Sequence, residues 1–440
     1  MSATVTAGEL GEVGELVEVV EVVKAFGEVV HGHKSDVVRD NVFQSLCTTD
    51  HDTRHNTRVG DDGERGWEDW ENVCGALLML EPDAVRSLFA APEDAERVLE
   101  LVEKTKEMTL PNVADETDEK RLPNAFARGM KPKKKHEVLA LAQAVEGMME
   151  RVAPERREEE EEEEGRSDVV LFDLGAGKGY VSQFLAHSFE RTHVVCIDSQ
   201  EAYLEGAKTR LERLEGKHPG FAHRVTHLTH TFSSASAPVL ESVLDQVETV
   251  SEDPVRILIG LHTCGNLAKD VGTVFASHAP AFYHGLVLSP CCHNLRDSFP
   301  SSKSVRSVLA KAGVEMGYNA RNLACLATRN RTDLARACHL FTYALLRVGD
   351  DGDDPPDLDV ADPIDRVQTW IGAAGPERSL VLARYVFVYA LKLLVAPVVE
   401  HLIVLDLVHF LREQGHSAWA EPVFDQHLSP RRFVIFAHPS

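Results

Sequence analysis

The chain has 440 residues and a mass of 48.6 kDa, enough for two domains or one large domain with an appendage at roughly 150 residues per domain. Hydrophobic residues at 43% and charged residues at 26% are ordinary globular usage and exclude wholesale disorder, collagen and coiled coil. The net charge of −24 is concentrated, because residues 1–30, 158–164 and 350–362 hold 19 of those negative charges, so overall acidity does not argue against a polyanionic partner.

Along the first 150 residues the pattern is helical with loops. Leu10, Val13, Leu16, Val17 and Val20 recur at helical spacing, as do Trp67, Trp70, Val73, Cys74, Leu77, Leu78 and Leu80, and a polar, Gly-bearing stretch at 50–66 separates them. A third helix fits 92–107 and a fourth 134–150. The Glu run that follows cannot pack, because like charges repel and bury nothing, so 151–165 reads as a solvated acidic linker. The opening MSATVTAGE lacks the basic and apolar parts of a leader, and the apolar region 381–405 is broken by Arg384, Lys392, Pro397, Glu400 and His401. The expectation is a protein of the cytoplasm or nucleus with no membrane span.

After the linker the pattern changes. Short apolar runs at 169–173, 194–198, 257–261 and 285–288 alternate with helical stretches, which implies parallel βαβ units. A long helix is predicted at 377–414, and strands at 419–424 and 433–437 are close enough to pair antiparallel. The Asp-rich segment 349–363 reads as an exposed insertion. The expected organisation is therefore a helical domain at 1–150, the linker, and an α/β domain at 166–440 carrying that insertion, with the helical domain covering the site or holding substrate.

The segment DLGAGKG (173–179) lies directly after an apolar strand and opens a helix. Glycines there tighten the turn and let backbone amides approach a ligand, while the helix contributes its positive end. A dinucleotide fingerprint would need a third glycine at 180, which is Tyr180, and a phosphate loop would need Ser or Thr after Lys178, where Gly179 stands. The acid-x-Gly-x-Gly-x-Gly pattern instead resembles the cofactor loop of class I S-adenosylmethionine-dependent methyltransferases. That resemblance puts Asp173 near the methionine end of the cofactor, makes Gly175, Ala176, Gly177, Lys178, Gly179 and Tyr180 its floor, and adds Ser199. Asp198, which ends the second strand, has two carboxylate oxygens suited to a ribose diol.

Two further strand ends carry chemistry. LHTCGNL (261–267) and SPCCHNL (289–295) follow the fourth and fifth strands, where open α/β sheets bind ligands, so His262, Cys264, Cys291, Cys292 and His293 are candidates to face the cofactor. His262 and then His293 are the candidate bases, since imidazole titrates near working pH. No metal is expected, because the usual two-to-four-residue spacers are missing and adjacent cysteines are expected to point apart. The Asn/Asp-Pro-Pro-aromatic tetrapeptide of adenine amino-group methylases is missing, as is the paired-Glu clamp of arginine methyltransferases. Lys131, Lys133, Lys134 and Lys135, with Arg128, form a basic segment at a helix start, where positive charge opposes the helix dipole and calls for an anion.

With these segments placed, the chain resembles the methyltransferase-like protein twenty-five family, also named for a ribosomal RNA adenine dimethylase domain. The likeness rests on KPKKKHEV (131–138), DLGAGKGYVSQFL (173–185), VVCIDSQ (194–200), GLHTCGNLA (260–268), SPCCHNL (289–295), RNLACLA (321–327), parts of VAPVVEHLIVLD (395–406) and FDQHLSPRRFVIFA (424–437). The strand-five segment is also similar to tRNA ribose methyltransferases with a Cys-Cys-His-His element, although Asn294 stands at its last position and no N-terminal Cys/His zinc module is evident. The resemblance implies a Rossmann-like class I sheet, mostly parallel with an antiparallel C-terminal strand. It also implies S-adenosyl-L-methionine as cofactor and methyl transfer to a macromolecule, with tRNA or rRNA favoured. The alternatives are a protein methyltransferase acting on a translation-related partner and a non-catalytic cofactor-binding protein. Cys291, Cys292 and the four lysines are the expected substrate-binding residues.

Overall fold

The computed structural model describes residues 122–153, 167–245, 247, 250–326, 376–425, 428–429 and 431–440, plus isolated helical positions between 17 and 24 and between 96 and 105. Apart from those positions, the helices expected before residue 107 and the loop at 50–66 lie outside the described residues, as do the Glu run at 158–164 and the insertion at 349–363. No helix among the described residues is long and apolar enough to cross a membrane.

In chain order the first elements are α1 (Asn124–Ala127), α2 (Pro132–Val152), β1 (Ser167–Leu174), α3 (Tyr180–Ser188), β2 (Thr192–Asp198) and α4 (Glu201–Glu215). Next come β3 (Val225–Thr229), α5 (Ala237–Leu244), β4 (Val250–Cys264), α6 (Leu267–His278) and β5 (Gly285–Cys291). The last are α7 (Lys303–Ala312), α8 (Tyr318–Leu326), α9 (Pro376–Glu413), β6 (His416–Pro422) and β7 (Phe433–Pro439). The chain divides into two compact units, one of residues 1–109 and 311–400 and one of residues 110–310 and 401–440. The second contains the whole sheet, and it starts at residue 110, well ahead of the expected 166. The cause is α2: its stripe Val138, Leu141, Val145 and Met148 is buried in the same cluster as Leu171, Val194, Ile257 and Val287 of the sheet.

The seven strands run in the order β3-β2-β1-β4-β5-β7-β6. β1 to β5 pair in parallel, and β7 pairs antiparallel with both β5 and β6, so β7 alone is reversed. This is the mostly parallel, Rossmann-like sheet with an antiparallel C-terminal strand expected from the sequence. Period-two alternation sorts the strand side chains: Leu171 faces the α2, α3 and α4 side, while Val170, Phe172 and Leu174 face α5, α6 and residues 404–411 of α9. β1, β2, β4 and β5 are therefore covered on both faces, which is why these runs read as continuous apolar segments. β3 carries no such run, since only its first residue is fully buried, and nothing in the pattern of VTHLT marks it in advance.

β4 is longer than its apolar core suggests. Gly260 pairs with Leu288 but Thr263 with Pro290, so three steps on β4 oppose two on β5 and one residue bulges. The bulge carries the strand through His262 to Cys264, placing on the sheet end residues expected in a following loop. At Gly260 an added methyl group would lie 2.5 Å from Thr263 Cγ2 and 3.1 Å from the Leu174 carbonyl oxygen. Gly260→Ala is accordingly expected to lower the unfolding free energy by about 1–3 kcal/mol through overpacking. Urea denaturation of variant and wild type checks it, and an unchanged midpoint would show that the bulge absorbs the methyl group.

Candidate active site

The loop after β1 is pinned to the end of β2. The amides of Gly175 and Ala176 donate to the Ile197 carbonyl at 2.9 and 3.0 Å, and the amide of Gly177 donates to Asp198 Oδ2 at 2.9 Å. Gly175, Gly177 and Gly179 all have positive φ, at 75, 57 and 66°, which side-chain-bearing residues rarely adopt. Their surroundings differ. A Cβ on Gly179 would meet the Gln183 amide at 2.9 Å, so this glycine serves packing, whereas a Cβ on Gly177 has nothing within 4 Å. The loop thus presents an open floor at Gly177, and Gly179 caps α3, whose first amides face the same end of the sheet. Lys178 and Ser199 are exposed beside it.

The two strand-end acids have different environments. Asp198 is partly exposed, and its second oxygen accepts from the Gln200 amide at 2.9 Å, so each oxygen is oriented and keeps a lone pair for a ligand. Asp173 is 2% exposed and accepts from Ser182 Oγ at 2.5 Å. Burial pushes its pKa up to about 6, against the pull of that hydrogen bond and of the Lys134 ammonium. Tyr180 stacks under the Arg210 guanidinium at 4.6 Å, and Arg210 also donates to Gln183 Oε1 and to the Phe126 carbonyl. Tyr180 is therefore a wall of the site held against α1.

α2 supplies a group that sequence reasoning missed. Glu137 is 1% exposed, accepts from Ser429 Oγ at 2.7 Å and meets His262 Nε2 at 3.3 Å, with Lys133 Nζ at 3.6 Å. Burial alone would raise its pKa, yet the bonds from His262 and Ser429 and the charges around it hold the carboxyl down at about 2. A signal was present, because Glu137 falls on the helix stripe that continues through Leu141, Val145 and Met148, where an acid needs a partner. His262 is one-third exposed while His293 is 1% exposed, so only the first imidazole is open to a substrate.

The basic segment is divided by the fold. Lys133 pairs with Glu137, and Lys134 is partly enclosed between Glu137 and Asp173, so that burial lowers its pKa. Lys131 and Lys135 stay exposed, as does Arg128. The anions called for at this helix start are thus, for Lys133 and Lys134, carboxylates of the protein itself.

The cysteines also depart from expectation. Cys264 and Cys291 are register partners on β4 and β5 with their sulfurs 2.9 Å apart, and Cys292 brings a third sulfur, all within 4.8 Å of one another. Adjacent cysteines converge because Cys292 has φ 49°, a left-handed backbone that reverses the usual alternation of side chains. Hydrogen bonds from Cys264 and Cys291 favour the Cys292 thiolate, while Cys291 is held as the thiol by its bonds with Cys264 and Cys292 and by burial.

Residues 133–297 match a family model described as a methyltransferase domain. Over 226 residues, 41% of the chain and 36% of the relative, the protein is 25% identical to "Probable methyltransferase-like protein 25" of Homo sapiens. The match spans little more than a third of that relative's length. Among solved structures, the plantazolicin methyltransferase BpumL in complex with SAH aligns with a TM-score of 0.23 and 11% identity, over 70% of this chain and 95% of that one. Coclaurine N-methyltransferase bound to N-methylheliamine and SAH aligns with a TM-score of 0.24 and 10% identity, over 74% and 89%.

The two buried acids have opposite linkage to pH. The folded pKa of Asp173 is raised, so its contribution favours folding at low pH and is lost as pH rises from about 4 to about 6. Glu137 is depressed, so its contribution is present above about pH 4.5 and lost as pH falls toward about 2. Asp173→Asn should therefore gain stability over wild type between about pH 4 and about pH 6 and hold that gain above it. Thermal unfolding across this range checks it, and a gain that is flat with pH would contradict the burial argument.

Proposed function

We propose that the chain is an S-adenosylmethionine-dependent methyltransferase acting on a macromolecule, with RNA the favoured substrate. The observation that carries the cofactor reading is the open floor at Gly177, whose amide is bonded to the partly exposed carboxylate of Asp198, on the loop that follows the strand carrying Asp173. A ligand with a cationic amino acid end and a ribose diol matches that pair of carboxylates, and a Cβ at Gly177 would occupy the space it needs. The 133–297 domain match and the named relative support the same reading.

When bound, this cofactor supplies a methyl group activated on a sulfonium. The chain's own residues then orient and deprotonate. Assigning the Nε2 proton of His262 to its bond with Glu137 leaves Nδ1 free to take a proton from a substrate hydroxyl or amino group, and the buried carboxylate stabilises the imidazolium that forms. Positioning the nucleophile in line accounts for much of such a rate, up to about 7–11 kcal/mol in the best intramolecular cases. The exposed Arg128, Lys131 and Lys135 at the same end of α2 suit a phosphate backbone.

Titration calorimetry with S-adenosylhomocysteine tests the cofactor. Gly177→Leu fills the floor and Asp198→Ala removes the diol acceptor, and each should weaken binding by about tenfold or more, the worth of a charged hydrogen bond. Unchanged affinity in both folded variants overturns the cofactor reading. For the substrate, replacing Arg128, Lys131 and Lys135 with Gln should weaken binding of single-stranded RNA and flatten its salt dependence by about 0.7 for each phosphate no longer neutralised. If RNA affinity and salt slope are unchanged, the RNA reading falls and a protein substrate takes its place.

A further inference from the structure

We infer that Cys264, Cys291 and Cys292 form a binding site for a thiophilic divalent cation, zinc, held by three thiolates with its fourth position open. Side-chain geometry carries this site independently of the methyl-transfer reading. Three sulfurs from two strand ends lie within 4.8 Å of one another. In a tetrahedral thiolate site with Zn–S bonds of about 2.3 Å, neighbouring sulfurs stand about 3.8 Å apart, so the cluster needs only a small outward shift of the 2.9 Å Cys264–Cys291 pair.

Two features favour a metal over a simple thiol pair. A disulfide needs two sulfurs, and the register pairing of Cys264 with Cys291 already provides them. The third arrives only because Cys292 is held left-handed, the one such non-glycine residue among those described, a conformation that costs roughly 1 kcal/mol or more and persists where the surrounding structure demands it. Charge is the second feature. Zinc with three thiolates carries one net negative charge, and the positive charges of Arg431 and Lys134 both act on these sulfurs. Cys291 is 6% exposed but Cys264 is open to solvent, so the ion has an entry path, and water or a substrate atom can complete its shell.

The test is metal content of the full chain purified from zinc-supplemented cells without chelator. About one zinc per chain is expected, lost in Cys264→Ser, Cys291→Ser and Cys292→Ser and kept in Cys325→Ser, with proton release on zinc uptake by the apo form. Cobalt added to the apo protein should give the intense thiolate charge-transfer absorption of a sulfur-rich site. To guard against variants that fail to fold, alkylation of the wild type followed by mass spectrometry should show Cys264 and Cys292 protected by zinc and released by chelator. Less than about 0.2 zinc per chain with no cobalt charge-transfer band overturns the site, as does zinc that survives the triple Ser variant or a Cys264–Cys291 disulfide in the metal-free protein as isolated.

Discussion

A carboxylate taken out of water must be paired, and Glu137 meets that demand with partners from three distinct parts of the chain. Ser429 comes from the connection between β6 and β7, His262 from the end of β4 and Lys133 from the preceding turn of its own helix. Satisfying one buried charge therefore docks α2 on the sheet, fixes the imidazole at the β4 end and ties down the segment that joins the last two strands. His136 adds to the same joint, accepting from the Asp425 amide at 2.9 Å. Removing either the acid or its partners would leave an unpaired polar group where helix meets sheet, which is why α2 belongs to the sheet unit despite the long acidic run between them.

A second buried acid performs the same service on the opposite face of the sheet. Asp406, fully buried on α9, accepts from Arg296 and from the amides of Ser301 and Ser302, so the chain leaving β5 is anchored before α7 begins. Glu413, two turns later, accepts from the Ser302 hydroxyl and from the amides of Lys303 and Ser304. These bonds satisfy amides that a helix start leaves without internal partners. The strand-five turn that carries Cys291 and Cys292 is thereby held from both sides, through its pairing with β4 and through Arg296.

What could be read from the sequence was local. The glycine loop, the acid 25 residues after Asp173 and the apolar strands are each marked by patterns a dozen residues long or less, because turn chemistry and alternation are short-range properties. Glu137 and His262 are 125 positions apart, and no periodicity links them, so only the fold could join them. Lys131, Lys133, Lys134 and Lys135 look equivalent as a run, yet helical geometry sends two toward buried acids and leaves two in solvent. The cysteine cluster was hidden for a different reason: a single left-handed residue reverses the rule by which adjacent side chains diverge, and Cys292 carries none of the usual marks of that backbone.

The two acids near the cofactor floor are tuned in opposite directions, and the difference assigns them different work. Glu137 is ringed by donors and held ionised at any working pH, so it can neither donate nor take a proton there; it can only fix the charge and orientation of the ring beside it. Asp173 is equally buried but has one hydroxyl donor and a partly screened lysine, and its pKa near 6 leaves its ionised form short of compensation. Such a group gains most when a further cation arrives. Lys134 is attracted by both carboxylates while burial disfavours its own charge, so its ammonium offsets the Asp173 charge only in part.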